Sequence, residues 1–191
     1  YRYKSTGDPW IKQIPDSWEW ARNKRVFRFV SRPVGDQSGD YQLLSLTLRG
    51  VVPRDLDGKG KYPAEFSAYQ VVKPGNVVFC LFDVDETPRT VGLSFDEGMV
   101  TGAYCVADVV AHSDPRFVYY WYLNLDQRKG LRPYYTGLRK VVRPETFMNL
   151  EMALPSLAEQ KSIAAFLDHE TSKIDALIAE QQRLIELLKE K

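Results

Sequence analysis

The sequence predicts an α+β protein: a mixed, twisted, β-rich domain with a few helices, followed by a long C-terminal α-helix of the coiled-coil type. Three observations carry this prediction. Short apolar runs alternate with turns over the first 150 residues, the chain after Pro155 contains no proline or glycine, and apolar residues recur there at heptad spacing. We therefore expect one domain over residues 1–152 and a helical region over residues 153–191.

The strands of the domain are predicted from apolar runs at residues 41–48, 69–72, 77–82 and 100–110, the last of which forms either a strand pair or one long strand. Lys73-Pro74-Gly75-Asn76 forms the turn between the second and third runs. The charged segments 54–61 and 83–89 are predicted loops. A helix is predicted over residues 117–125, because Ser113-Asp114-Pro115 places an N-cap residue and a proline directly before it.

The C-terminal helix is predicted to begin at Ser156, which forms a capping box with Glu159. The polar stretch 168–172 is expected to bend or interrupt it. A narrow heptad pattern on so long a helix favours a partner helix, and packing against the chain's own domain is the alternative. The residues expected at the helix-pairing interface are Leu167, Ile174, Leu177, Gln181, Leu184 and Leu188.

Charge and composition limit the possible classes of protein. The net charge of the chain is +1. Residues 1–150 contain 21 Lys and Arg and 17 Asp and Glu, whereas residues 151–191 contain 5 Lys and Arg and 8 Asp and Glu. A mildly basic domain with an acidic helix permits a nucleic-acid partner. No apolar run approaches the roughly 20 residues that cross a bilayer, so no membrane partner is expected. Cys80 and Cys105 are predicted to be reduced thiols of a cytoplasmic protein, with a single disulfide as the alternative.

Sequence motifs for catalysis are few. The sequence has no Walker loop, no dinucleotide-binding glycine motif and no nucleophile elbow, and His112 and His169 have no metal-ligand spacing. Asp83, Asp85 and Glu86 could hold Mg²⁺, which makes a stand-alone metal-dependent nuclease the alternative function. A solvated acidic loop is the more common meaning of such a cluster. We therefore expect no catalytic residues and no metal site.

Cationic and aromatic residues, in contrast, are clustered in glycine-containing segments. Lysine and arginine neutralise phosphates, arginine also recognises guanine, and tyrosine stacks on bases or donates to phosphates. The predicted DNA-binding residues are Arg49, Arg54, Lys59, Lys61, Arg89, Arg128, Lys129, Arg132, Tyr134, Arg139 and Lys140. A solvated charged surface is the alternative.

Residues 153–168, ALPSLAEQKSIAAFLD, resemble the conserved region of type I restriction–modification specificity subunits. That family's signature is a proline-rich run, then Leu-x-Glu-Gln, then Ile-Ala-x-Phe-Leu-Asp. Residues 171–178 and the N-terminal segments 3–10 and 14–19 also resemble the family, as do residues 69–79 and 98–104 of its target-recognition core. Ser156 stands where many members carry a second proline. The family's subunit has two recognition domains and two helical regions, so one of each suggests a half subunit, natural or truncated.

The resemblance implies a non-catalytic DNA-specificity subunit that binds one half of a bipartite DNA site. The helix would pack against a second helix and set the separation of the half-sites. Because this chain has one helical region with an uncovered apolar seam, we expect a second copy to supply that helix in a homodimer. Methylation subunits holding S-adenosylmethionine and restriction subunits using ATP and Mg²⁺ would dock on it, and the chain itself would need no cofactor. A methyltransferase would need a glycine-rich loop for S-adenosylmethionine and an Asn/Asp-Pro-Pro-aromatic motif, and the sequence has neither. A pure oligomerisation module would show no salt-sensitive DNA binding.

Overall fold

A computed structural model describes residues 2–8, 10–54 and 65–189. These residues form short strands, three α-helices and several 3₁₀ turns. The strands are β1 (Tyr3–Ser5), β2 (Gln13–Pro15), β3 (Glu19–Arg22), β4 (Phe27–Val30), β5 (Leu44–Thr47), β6 (Gly50–Pro53), β7 (Gln70–Val72), β8 (Val77–Phe79), β9 (Val91–Leu93), β10 (Gly98–Val100), β11 (Cys105–Val109) and β12 (Glu151–Leu154). The helices are α1 (Pro115–Gln127), α2 (Pro144–Asn149) and α3 (Leu157–Lys189). The predicted α+β class, with a β-rich domain and a long C-terminal helix, is confirmed.

The central sheet is antiparallel, with the strand order β4-β11-β8-β9. Side chains alternate between its two faces, as they must in a strand. Val77 and Phe79 of β8 pack on one face against the helices, while Val78 packs on the other face against the β5–β6 and β7–β10 ribbons. Because both faces are covered, β8 is a continuous apolar run and all three of its residues are buried.

An aromatic cluster fills the space between the sheet and the helices. Phe27, Phe79, Tyr122 and Phe147 are almost completely buried, and partly buried Phe29 packs against them. The ring centre of Phe147 lies 4.9 Å from that of Phe79 and 5.1 Å from that of Tyr122. This cluster joins β4, β8, α1 and α2 into one core.

The packing on the second face of the sheet requires a glycine at position 98. Gly98 begins β10, and a Cβ atom placed on it would lie 2.4 Å from the carbonyl oxygen of Gln42. The backbone leading into β5 therefore crosses β10 too closely for any side chain at this position.

Both predicted helix starts are confirmed. Asp114 caps α1 by accepting a hydrogen bond from the Arg116 amide at 2.9 Å, and Pro115 occupies the first turn. Ser156 and Glu159 form the reciprocal capping box at the start of α3, with the Ser156 amide donating to Glu159 Oε2 at 3.1 Å and the Glu159 amide donating to Ser156 Oγ at 3.3 Å. The hydrogen bond from the Ser156 hydroxyl holds the pKa of Glu159 below its usual value.

The helix α3 is unbroken from Leu157 to Lys189, so the expected interruption at residues 168–172 is wrong, whereas the expected bend stays a prediction. Asp168 and Thr171 hydrogen-bond to α1 while keeping helical geometry, which explains why polar residues stand there. From Thr171 to Lys189 every residue is exposed, so this part of α3 projects from the domain and does not fold back onto it. Strand β12 pairs with β3 across the predicted domain boundary after residue 152. No helix in the described part of the chain is long and apolar enough to cross a membrane.

Candidate DNA interface

Two loops that are distant in sequence meet on one side of the domain. The loop after β8 carries Asp83, Asp85 and Glu86, and the segment after α1 carries Arg128, Lys129, Arg132, Arg139 and Lys140; together we call these residues the charge cluster. Backbone hydrogen bonds join the two segments, from the Asp83 amide to the Arg139 carbonyl at 2.8 Å and from the Val142 amide to the Leu81 carbonyl at 2.8 Å.

Ion pairs then connect the side chains of the charge cluster. Arg132 Nε donates to Asp85 Oδ1 at 2.8 Å, and Arg139 Nη2 donates to Asp83 Oδ2 at 3.1 Å. Lys140 Nζ lies 3.2 Å from Asp85 Oδ2 and also pairs with Glu86. The hydrogen bond from Arg132 lowers the pKa of Asp85, and the hydrogen bond to Glu86 raises the pKa of Lys140. Counted with their formal charges, the five cations and three anions of the charge cluster leave a net charge of +2.

The ion pairs orient the arginines without enclosing them. The side chains of Arg132 and Arg139 remain 63% and 74% exposed. Since a guanidinium has five N–H donors, each arginine keeps donors that face solvent. Arg128 is exposed and donates to the Asn124 side chain, whereas Lys129 Nζ donates to the carbonyls of Val84 and Thr87 at 3.3 and 3.0 Å. Arg128, Arg132 and Arg139 are thus the accessible cations of the charge cluster.

The backbone of the charge cluster is unusual. Within the described ranges, the non-glycine residues with left-handed φ angles are Asp83 at 47°, Lys129 at 51° and Lys140 at 43°, and all three belong to it. This conformation is unfavourable for residues with a Cβ atom, by about 1–2 kcal/mol each. The ion pairs and the hydrogen bonds of Lys129 hold these residues in place, so the loops have a defined shape.

The other predicted cations are placed differently. Arg49 is exposed at the turn of the β5–β6 hairpin, and Arg54 is exposed directly after β6. Arg89 is largely enclosed: Nη1 donates to buried Asp126 at 3.3 Å and Nη2 donates to the Leu48 carbonyl at 3.4 Å. Lys59 and Lys61 lie outside the described residues.

Tyr134 lies between Arg132 and Arg139 in the chain but faces another part of the surface. Its ring lines a cleft of about 370 Å³ together with Trp20, Trp121 and Tyr122. Burial raises the pKa of its hydroxyl. Leu138, which the sequence patterns did not single out, lies fully exposed at the tip of the turn between Thr136 and Val141.

The predicted helix-pairing residues fall into two groups. Leu167 is half-buried near the domain, and Gln181 is exposed. Ile174, Leu177, Leu184 and Leu188 are 44–72% exposed. Ile178 and Ile185 are exposed beside them, and at 3.6 residues per turn these projecting residues occupy an arc of about 120°. An apolar stripe of this width is typical of a helix that buries one face against another element.

The acidic loop gives the nuclease alternative no support. Asp83, Asp85 and Glu86 each pair with a lysine or arginine, and the residues described by the structure contain no group of three His, Cys, Asp or Glu side chains arranged to hold a metal ion. Sequence reasoning treated the acidic and basic loops separately and missed their pairing. The sequence shows only the composition of the two segments, three acids in one and five cations in the other, and not their proximity.

Three solved structures have the same architecture. The HsdS subunit from Thermoanaerobacter tengcongensis superposes with a TM-score of 0.61 at 17% identity, over 94% of this chain and 42% of that one. The chain has the fold of a type I specificity subunit. The S subunit from M. genitalium gives a TM-score of 0.56 at 14% identity, over 85% of this chain and 41% of that one.

A third structure, "Structural basis underlying complex assembly and conformational transition of the type I R-M system", contains a chain that matches with a TM-score of 0.59 at 15% identity, over 92% of this chain and 42% of that one. The chain thus spans about two fifths of the length of the solved chains that it matches. The resemblance first seen in residues 153–168 is confirmed at the level of the fold. No family model and no curated protein matches the sequence.

Proposed function

We propose that the chain is a non-catalytic DNA-specificity subunit of a type I restriction–modification system. The observation that carries this proposal is the shared fold: a β-rich domain joined to a long helix, as in the HsdS subunits, over most of this chain. The domain binds one half of a bipartite DNA site, and the helix connects it to the rest of the assembly. Methylation and restriction subunits dock on this chain and bring S-adenosylmethionine, ATP and Mg²⁺, and the complex works in the cytoplasm.

The charge cluster is the proposed phosphate-binding surface. Its net positive charge, the solvent-facing donors of Arg128, Arg132 and Arg139, and the fixed loop shape support this role. Phosphate contacts position a protein on DNA, and contacts to base edges supply specificity. We assign the contacts to base edges to the loop region around Arg49 and Arg54. These two arginines are exposed at and just after the β5–β6 hairpin.

The exposed stripe of α3 is the proposed homodimer interface. Pairing two copies in antiparallel orientation would cover the apolar side chains and place two domains at opposite ends of the helix pair, related by a two-fold axis. Gln181 lies within the stripe, where a polar residue reduces stability but fixes the register. The DNA site of such a dimer is palindromic, with a spacer of fixed length between its halves.

Salt dependence of DNA binding tests the assignment of the charge cluster. Each phosphate contact contributes about 0.9 to the slope of log affinity against log salt. We expect replacement of Arg128, Lys129, Arg132, Arg139 and Lys140 by Gln to lower both the affinity and the slope in the assembled complex. The control replaces the α3 cations Lys161, Lys173, Arg183 and Lys189 by Gln and leaves the slope unchanged. An unchanged slope in the first variant would reassign DNA binding to another surface.

A further inference from the structure

The junction between α1 and α3 fixes the direction of the projecting helix. Gln160 is fully buried, and its side chain accepts from the Asp114 amide at 2.9 Å and donates to the Pro155 carbonyl at 2.9 Å. One turn later Ala164 is buried against the domain. Asp168, another turn along the same row of α3, makes the last ion pair to the domain that the structure describes. Gln160, Ala164 and Asp168 follow the i, i+4, i+8 spacing of one helix face.

Asp168 is held by two residues of α1. Arg116 Nη1 donates to Asp168 Oδ2 at 2.9 Å, and the Tyr120 hydroxyl donates to Asp168 Oδ1 at 2.7 Å. Arg116 is itself fixed, because Nε and Nη2 donate to Asp114 at 3.2 and 3.0 Å. Burial raises the pKa of Tyr120 to about 12, so its hydroxyl is a neutral donor at physiological pH. Both carboxylate oxygens are thus engaged at the point where α3 leaves the domain.

Beyond this junction the helix acts as a long rigid arm. The rise of 1.5 Å per residue places Lys189 about 32 Å from Asp168 along the axis. A change of about 10° in the direction of α3 would move its end by about 6 Å, whereas one DNA base pair spans about 3.4 Å. Small rotations at the junction therefore shift one recognition domain relative to the other by more than the length of one base pair.

We propose that Asp168 is a positioning residue for the spacer length: held by Arg116 and Tyr120, it fixes the direction of α3 and thereby the number of base pairs between the two half-sites. This inference rests on the proposed function. The length of the helix alone does not fix the number of base pairs between the half-sites, because the direction of α3 also affects it. Asp168 contacts no DNA in this scheme and acts only through the orientation of α3.

The test measures methylation by the assembled complex on DNA in which the spacer varies one base pair at a time. The wild type should prefer one spacer. In Asp168→Ala, discrimination against a spacer one base pair longer or shorter should fall by about tenfold, equivalent to about 1.4 kcal/mol. Asp168→Asn keeps the side-chain shape and the Tyr120 hydrogen bond, so it should give a smaller change. Glu170→Ala removes the exposed Glu170–Lys173 pair on the same helix and should leave the preference unchanged.

The outcomes separate this inference from the proposed function. If the wild type selects no two-part site, the proposed function is wrong. If the wild type prefers one spacer and both Asp168 variants keep that preference, or lose methylation equally on all spacers, the positioning role is wrong. Distances within one chain give a second measurement. In the monomeric variant with Leu177→Lys and Leu184→Lys, and with both native cysteines replaced by alanine, spin labels at positions 127 and 182 should show a broader distance distribution in Asp168→Ala. An unchanged distribution would also contradict the proposal.

Discussion

The ion pair between Arg89 and Asp126 offers the sharpest test of how the domain is built. Asp126 lies at the end of α1 with a side chain only 4% exposed, and the Arg89 side chain is 15% exposed. Asp126 Oδ1 accepts from the Thr90 hydroxyl at 2.7 Å, and Oδ2 accepts from Arg89 at 3.3 Å. Arg89 Nε is buried and has no hydrogen-bond partner among the residues described. Asp126 therefore supplies the negative charge that balances the Arg89 guanidinium.

Replacing Asp126 by Asn keeps the shape of the side chain and removes the charge that Arg89 faces. Breaking a fully buried pair costs about 3–5 kcal/mol, since the remaining charge is left uncompensated. Because Arg89 keeps some solvent contact and the Leu48 carbonyl, we expect a loss of about 2–3 kcal/mol in the free energy of unfolding, equivalent to roughly 4–12 °C in Tm for a domain of this size.

Urea unfolding followed by tryptophan fluorescence measures this loss. Glu170→Gln is the control, because it breaks an exposed pair on α3 that is expected to contribute less than about 1 kcal/mol. The double variant Arg89→Gln with Asp126→Asn should be more stable than Asp126→Asn alone, because no orphaned charge remains. A loss below about 1 kcal/mol in Asp126→Asn would refute this reasoning and return Arg89 to the candidate phosphate contacts.

Three further predictions follow from the same structure. Phe147→Ala should lose about 3–5 kcal/mol in urea unfolding, because it removes the ring at the centre of the aromatic cluster; a smaller loss would mean that the cluster is loosely packed. The hydrogen bond from Arg132 lowers the pKa of Asp85 in the folded chain. The stabilisation that Asp85 contributes is therefore present above the ordinary aspartate pKa of about 3.9 and is lost as the pH falls through the lower pKa of the folded state. The free energy of unfolding should decline as the pH falls through this range, and it should decline less steeply in Asp85→Asn. Replacing Leu177 and Leu184 by Lys should give a monomer with an unchanged domain, measured by light scattering; a wild-type mass of 22.0 kDa at micromolar concentration would contradict the dimer.

The sequence was sufficient to predict features that depend on local patterns. The capping box of Ser156 and Glu159, the N-cap of Asp114 and the buried run of β8 are each signalled within a few residues. The exposure of the apolar stripe on α3 was predicted only as one of two alternatives. Heptad spacing indicates a helix face that needs a partner, but it does not say whether that partner is the chain's own domain.

Features that depend on long-range contacts could not be predicted. The acids at 83–86 and the cations at 132–140 lie about 50 residues apart, so their pairing emerges only when the two loops meet. Asp168 was expected to belong to an interruption of the helix because its polarity is visible in the sequence, whereas its partners Arg116 and Tyr120 are not. Arg89 was grouped with surface cations for the same reason: the sequence does not show that Asp126 is buried beside it.

A chain that gives a restriction–modification complex its DNA sequence preference must carry that preference in its own domain. The most direct measurement assembles the chain with the proposed methylation subunit and S-adenosylmethionine and adds a pool of randomised DNA. The methylated molecules are then sequenced. We predict enrichment of a two-part palindromic site with a single spacer length, and a changed site when the domain is exchanged for that of another specificity subunit. Methylation without sequence preference, or a site that stays the same after the exchange, would contradict the proposed function.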